Sequence, residues 1–481
     1  MRPGNRPAPN KRYPYITIAN SLQEYKADGD IGRRQMSPFG FGPADENNPE
    51  PDFNEIMRRM QSEFQKFSQN FPNLTGGFGF NPLSGFGNAG TGENASALPK
   101  EVIREVAKRF IQAQGSTPIG ANDQAKCEEA LNIANTWLDQ ATLFPAISSD
   151  HPAISPIDWL NITIEGWHST FEPLATGLTE AVTKMVEEAT TAMQGEAPAQ
   201  LGPMGQILRS FIGGMLATQM GQTIGALASS SKGAHDSALP IIDNFKPSLS
   251  PQALRKFSAE LQIPETEIAI YFALREAATV RLFESNPWLV SYMKAAIAEY
   301  GKGIHIDLDE IQRQAEESMR NIQENLELNP DNENPINLNA EFSLALNNGL
   351  FTPEETPQQA AALEKLETAL ALIDGWIEEV INLAASDRLP SLAALSELLR
   401  RERVSNSPIQ QLFKALFNLE VSPKRIREAT FFWHELREKR DLQQRDKVWS
   451  GLLPTEKELS DPIAFIGSTE IPDDISKLFD N

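Results

Sequence analysis

The stretch 264–287 constrains this chain's fold more than any other. Ile268, Phe272, Arg275, Thr279 and Leu282 recur at spacings of four and three residues, one face of an α-helix. The run 268–274 holds no charge, so this helix is expected at the centre of the molecule, covered on most sides. Arg275 and Thr279 nevertheless fall on its apolar stripe, with Glu276 beside them. A buried guanidinium is costly unless a carboxylate pairs with it. An acidic side chain on another element must therefore face this helix.

Helical periodicity continues on both sides. Ile103, Val106, Ala107 and Phe110 form one face, and Leu131, Ala134, Trp137, Leu138 and Ala141 another. A long Thr-rich helix is expected over 158–193, broken near Pro173, and helices resume at Pro357 and end near Trp449. The best strand candidate is 238–242, with a second extended piece at 303–308, and 329–337 reads as a connector rich in Pro, Asn and Asp. The fold class is mainly α, a multi-helix fold with a few short strands.

The first 100 residues hold 12 of the 30 glycines and 11 of the 33 prolines. Such a segment cannot bury enough surface to offset chain entropy and is expected to be disordered. One amphipathic island at 52–68 carries Phe53, Ile56, Met57, Met60, Phe64 and Phe67 at helical spacing. The expected organisation is an arm over 1–99, a helical domain over 100–465 and a flexible acidic tail over 466–481. Met36, before an acidic stretch, is a candidate second translation start.

Composition excludes several classes of function. With 65 acidic against 43 basic residues, the net charge is −22, which disfavours a nucleic-acid surface. The lone Cys127 permits no internal disulfide or Cys-rich metal cage and is expected to be a buried structural thiol. Residues 1–26 contain no apolar run fit for a signal peptide, which predicts a cytoplasmic protein. The uncharged stretch 210–231 has Gln219 and Gln222 near its middle and too few apolar residues to span a bilayer. Its Gly213, Ala217, Gly221 and Gly225 recur every fourth residue, a ridge for close packing of another helix.

The central helix also carries a resemblance. Leu274-Arg275-Glu276-Ala277-Ala278-Thr279-Val280-Arg281-Leu282-Phe283, followed by Pro287-Trp288-Leu289, resembles the zincin-like, zinc-dependent metalloprotease family, hydrolases related to proteins of deazaflavin-cofactor biosynthesis. Gly221-Gln222-Thr223-Ile224-Gly225-Ala226-Leu227, Gly349-Leu350-Phe351, Asp387-Arg388-Leu389-Pro390 and Arg445-Asp446-Lys447-Val448-Trp449 are similar to family blocks in family order. The resemblance covers residues 100–465 and implies a zincin-like fold.

Metal-competent relatives carry H-E-x-x-H on this helix. Two imidazoles at i and i+4 then share one zinc, and the glutamate at i+1 serves as general base. The resemblance places Arg275 at the first histidine, Glu276 at the base and Thr279 at the second histidine. On a later helix it places Asp374 at an acid position, Trp376 where relatives have histidine, and Glu378 nearby. A guanidinium has no lone pair to give, and threonine is a poor zinc ligand whose hydroxyl tends to bond back to the carbonyl four residues earlier. Glu276, Asp374 and Glu378 offer only hard oxygens, unsuited to zinc. The expectation is a pseudoenzyme with no metal ligands and no cofactor, Glu276 being a vestigial base and Arg275, Thr279, Asp374, Trp376 and Glu378 the remains of a pocket. Arg275 should pair with Asp374 or Glu378 and replace the metal as the tie between the helices. Its expected role is to bind a peptide or a partner protein. The alternative is an active metal-dependent peptidase that uses Glu276, with zinc held by unorthodox ligands.

Among other histidines, Phe432-Trp433-His434-Glu435-Leu436-Arg437-Glu438 reads H-E-x-x-E in a charged, solvated helix. His151, His168 and His235 have no partner at ligand spacing, and His305 alternates with isoleucines as on a half-exposed strand.

Overall fold

The computed structural model describes residues 96–194, 201–305, 356–406 and, with short breaks, 408–468. These fall within one unit, Phe78–Asn481; the other, Met1–Gly77, lies outside the described residues. So do the island at 52–68, Met36, the connector 329–337, the block at Gly349-Leu350-Phe351, most of the acidic tail and half of the extended piece 303–308.

Helices dominate, as expected. In chain order they are α1 (Lys100–Gln114), α2 (Ala121–Leu138), α3 (Pro156–Gln194), α4 (Leu201–Ser230), α5 (Pro251–Ala259), α6 (Glu265–Ser285) and α7 (Trp288–Lys302). There follow α8 (Pro357–Ala385), α9 (Leu392–Asn406), α10 (Pro408–Phe417), α11 (Ile426–Lys439), α12 (Leu442–Lys447), α13 (Glu456–Leu459) and α14 (Pro462–Ser468). Among the described residues the only extended pairing is two isolated bridges, Ala153 with Leu249 and Gly233 with Leu249.

Local chemistry sets the starts of two of the longest helices, α3 and α8. Ser155 and Asp158 cap α3 reciprocally, the Ser155 N–H donating to Asp158 and the Asp158 N–H to Ser155 Oγ. Thr356 and Gln359 do the same for α8, with Pro357 at its first position. The central helix α6 is flanked by α2, α5, α8 and α9 and is buried continuously from Tyr271 to Phe283. A helix apolar on all sides belongs in a core. The glycine ridge of α4 packs on α1: a Cβ on Gly221 would lie 2.7 Å from Val106 Cβ, and one on Gly225 2.8 Å from Phe110 Cβ. No described helix is long and apolar enough to cross a membrane.

Three local expectations are corrected. First, α3 is not broken at Pro173 but runs through it. The close seating of Gly301 on the backbone at Pro173 and Leu174 holds the helix on course. Second, 238–242 is not a strand but part of a buried irregular loop in which Ala238 adopts a φ of 55°. Its apolar side chains face the core through loop packing rather than through a ladder. Third, helices continue beyond Trp449, because α14 docks Phe465 edge-on against Phe432 at 5.2 Å.

Cys127 is buried on α2, and burial, the largest cause, helped by Asp123, pushes its thiol up to about 12. Since the thiolate is the nucleophile, Cys127 is expected to resist iodoacetamide at neutral pH until the protein unfolds. Mass spectrometry of alkylated native protein would expose the error if modification were fast.

Candidate functional site

The motif face of α6 meets α8 through charge. Arg275 Nη2 donates to Asp374 Oδ1 at 2.7 Å, with Arg275 and Asp374 side chains 11% and 4% exposed. Burial alone would favour the neutral guanidine, but Tyr271, Asp374, Asp236 and Glu378 outweigh it and raise Arg275 above its ordinary value. The cation is thus permanent. Of the two expected partners, Asp374 is the one bonded, while Glu378, one turn along α8, is bonded by Arg400 of α9. Thr279 Oγ1 donates to the Arg275 carbonyl at 2.8 Å, the expected back-bond.

Trp376 does not share this face. Two residues from Asp374 on a helix, it points the other way: its indole donates to Asp446 at 3.1 Å, and its ring meets Phe144 and Trp449. The residues grouped from the sequence are therefore split, with Asp374 and Glu378 on the face of α8 that meets Arg275 of α6 and Trp376 on another. The spacing of 374 and 376 carried this signal, since i and i+2 do not face each other on a helix.

Glu276 meets three donors. Oε2 accepts the backbone N–H of His235 at 3.0 Å, while Oε1 accepts that of Ser248 at 3.1 Å and lies 2.8 Å from His235 Nδ1. With both oxygens already accepting backbone N–H groups, the third contact is a donation from Nδ1–H to Oε1. His235 Nε2 is then buried without a hydrogen-bond partner. Gly233 is obligatory beside this pair, since a Cβ there would sit 2.4 Å from Glu276 Oε2. The sequence reading missed His235 as a partner: it lies 41 residues from Glu276, and no spacing rule reaches that far.

A second buried cluster adjoins the first. Asp236 accepts from the Lys232 N–H and, at 3.1 Å, from Arg403 Nη2. Burial alone would raise its carboxyl, but Lys232, Arg403, the Lys232 N–H and Arg275 hold it below the ordinary 3.8. A carboxyl with a depressed folded-state value stabilises the protein above about pH 4, and that contribution fades as pH falls through the folded value. Asp236→Asn should therefore lie furthest below wild type in urea denaturation at neutral pH, with the gap closing in acid. A pH-independent gap would refute this assignment.

As a zinc site this set does not fit. Arg275 offers no lone pair, Thr279 is turned back to its own helix, Glu276 is held by three donors, and Trp376 presents an N–H. Among the described residues no group of three or more His, Cys, Asp or Glu is placed to hold a metal ion. The H-E-x-x-E helix is structural: Glu379 takes Arg437 at 2.7 Å, while His434 is 45% exposed. Ser96, His168 and Glu172 meet in a triad-like group, but His168 Nε2 lies 2.9 Å from the Leu98 carbonyl. A carbonyl only accepts, so Nε2 holds a proton there and cannot take one from Ser96, whose hydroxyl donates to Glu172.

Comparison with known proteins follows this geometry. No curated protein sequence matches the chain. A crystal structure of a "putative hydrolase with a novel fold" from Chloroflexus aurantiacus is similar, with 16% sequence identity and a TM-score of 0.49, the match covering 77% of this chain and 98% of that one. Residues 100–466 match the sequence profile of the zincin-like metallopeptidases, and the chain belongs to that family.

Proposed function

We propose that this chain is a non-catalytic member of the zincin-like metallopeptidase family that acts by binding a peptide or a partner protein. One observation carries the reading: the Arg275 guanidinium is bonded to Asp374 where the family motif would set its first imidazole. A fixed cation between acidic groups provides the electrostatic tie that a dication would provide between the same two helices. The three donors that His235 and Ser248 direct at Glu276 support the same reading, because they hold both of its oxygens in backbone contacts, whereas a general base must have its carboxylate within reach of the proton it takes.

The test is peptide hydrolysis. Wild type and Glu276→Gln are incubated with a broad peptide set and supplied zinc, and the cleaved products are read by mass spectrometry. Neither protein is expected to cleave above background. Cleavage by wild type that disappears in Glu276→Gln would instead establish an active peptidase with unorthodox ligands.

A further inference from the structure

The loop between α4 and α5 has an unusual closure. At its neck the Ala234 N–H donates to the Ser248 carbonyl at 3.0 Å and the Ser250 N–H to the Lys232 carbonyl at 2.9 Å, around the Gly233–Leu249 bridge. Two amides at the neck, those of His235 and Ser248, turn instead to a single side chain. Both donate to the Glu276 carboxylate, one to each oxygen. The His235 ring adds a third bond, and Gly233 lets the neck lie directly on the carboxylate.

We propose that Glu276 is the clasp of an Ω-loop, residues 233–249, and that this loop is a lid over the motif face of α6 that opens as a unit of its own. Ends held close together and side chains packed within and beneath the loop characterise such loops, which often carry function. Leu239, Ile241, Ile242 and Phe245 are buried, and Phe245 stacks on Phe283 of α6 at 5.2 Å. The backbone pairing within the loop is confined to its neck and two short inner turns, with no ladder running through it; its other ties, Leu249 with Pro152 and Ile154, the Trp159 indole on the Ala234 carbonyl, Ser248 on the His151 carbonyl and Arg403 on Asp236, must part with the clasp. Buried His235 Nε2 has no partner in the closed state and regains water on opening, which lowers the cost of release. The motif glutamate thus works as a positioning residue for a lid. Any ligand that reaches it must first displace residues 233–249. The clasp rests on hydrogen bonds alone and stands whether or not the chain proves catalytic.

Hydrogen exchange on the full chain tests the idea. Glu276→Gln keeps the side-chain shape but removes the charge and one acceptor. Amides of 233–249 are then expected to exchange faster by on the order of tenfold or more, with those of 268–283 unchanged. Equal acceleration of both segments, or of neither, would overturn the proposal. Should the variant fail to fold, wild type decides alone: exchange of 233–249 should depend less on denaturant than that of 268–283. Coincident denaturant dependence would show that the loop opens only by global unfolding and would reject the lid.

Discussion

Arg275→Met is expected to destabilise the protein by about 3–5 kcal/mol, because it strands the Asp374 carboxylate in a site only 4% exposed. Methionine fills a similar length without charge, so lost packing contributes little. Asp236 and Glu378, which also face Arg275, keep Arg403, Lys232 and Arg400 as counterions. The cost should therefore centre on Asp374. Arg275→Met combined with Asp374→Leu should recover most of the loss, since a buried ion pair and a well-packed apolar pair are often of similar stability. Urea denaturation of both variants provides the comparison. A double variant no more stable than the single one would show that the pair is not the coupled unit described.

Asp446→Ala should be more damaging still. Its carboxylate accepts from the Thr142 hydroxyl at 2.7 Å, the Leu143 N–H at 2.9 Å, the Trp376 indole at 3.1 Å and the neighbouring Arg445 guanidinium at 2.8 Å. Arg445 is fully buried and meets, besides, the Ala141 carbonyl and the face of the Trp376 ring. Removing Asp446 leaves an unpaired buried cation and three donors without acceptors. At about 1–3 kcal/mol per orphaned donor, plus the uncompensated charge, the sum approaches the whole stability of a typical domain. The variant is expected to lose its cooperative unfolding transition. Asp446→Asn keeps part of the acceptor set and should fall between. Near-wild-type stability of the alanine variant would contradict the hydrogen-bond assignment.

How far the sequence spoke depended on the range of each interaction. The burial of α6 was legible because an uncharged run followed by a 3.6-residue pattern admits few other placements. The need for an acid opposite Arg275 was legible too, because charge must be compensated in a core; Asp374 answers it across 99 residues. The glycine ridge of α4 was read correctly as a packing surface, its partner being α1. The loop 233–249 was not legible. Its apolar run imitates a strand, whereas its bonds go to Glu276 on a distant helix, to its own neck, and to Pro152, Ile154, Trp159 and Arg403, all remote in sequence. Trp376 is buried, and helix geometry alone separates its side chain from that of Asp374 two residues earlier.

The motif face of this helix is held by an arginine–aspartate pair and a clasped glutamate. Elemental analysis of the purified full-length protein tests that most directly. Zinc and other transition metals well below one per chain, with a melting temperature indifferent to chelator, is the predicted result. One tightly held zinc per chain, lost together with stability on chelation, would contradict it.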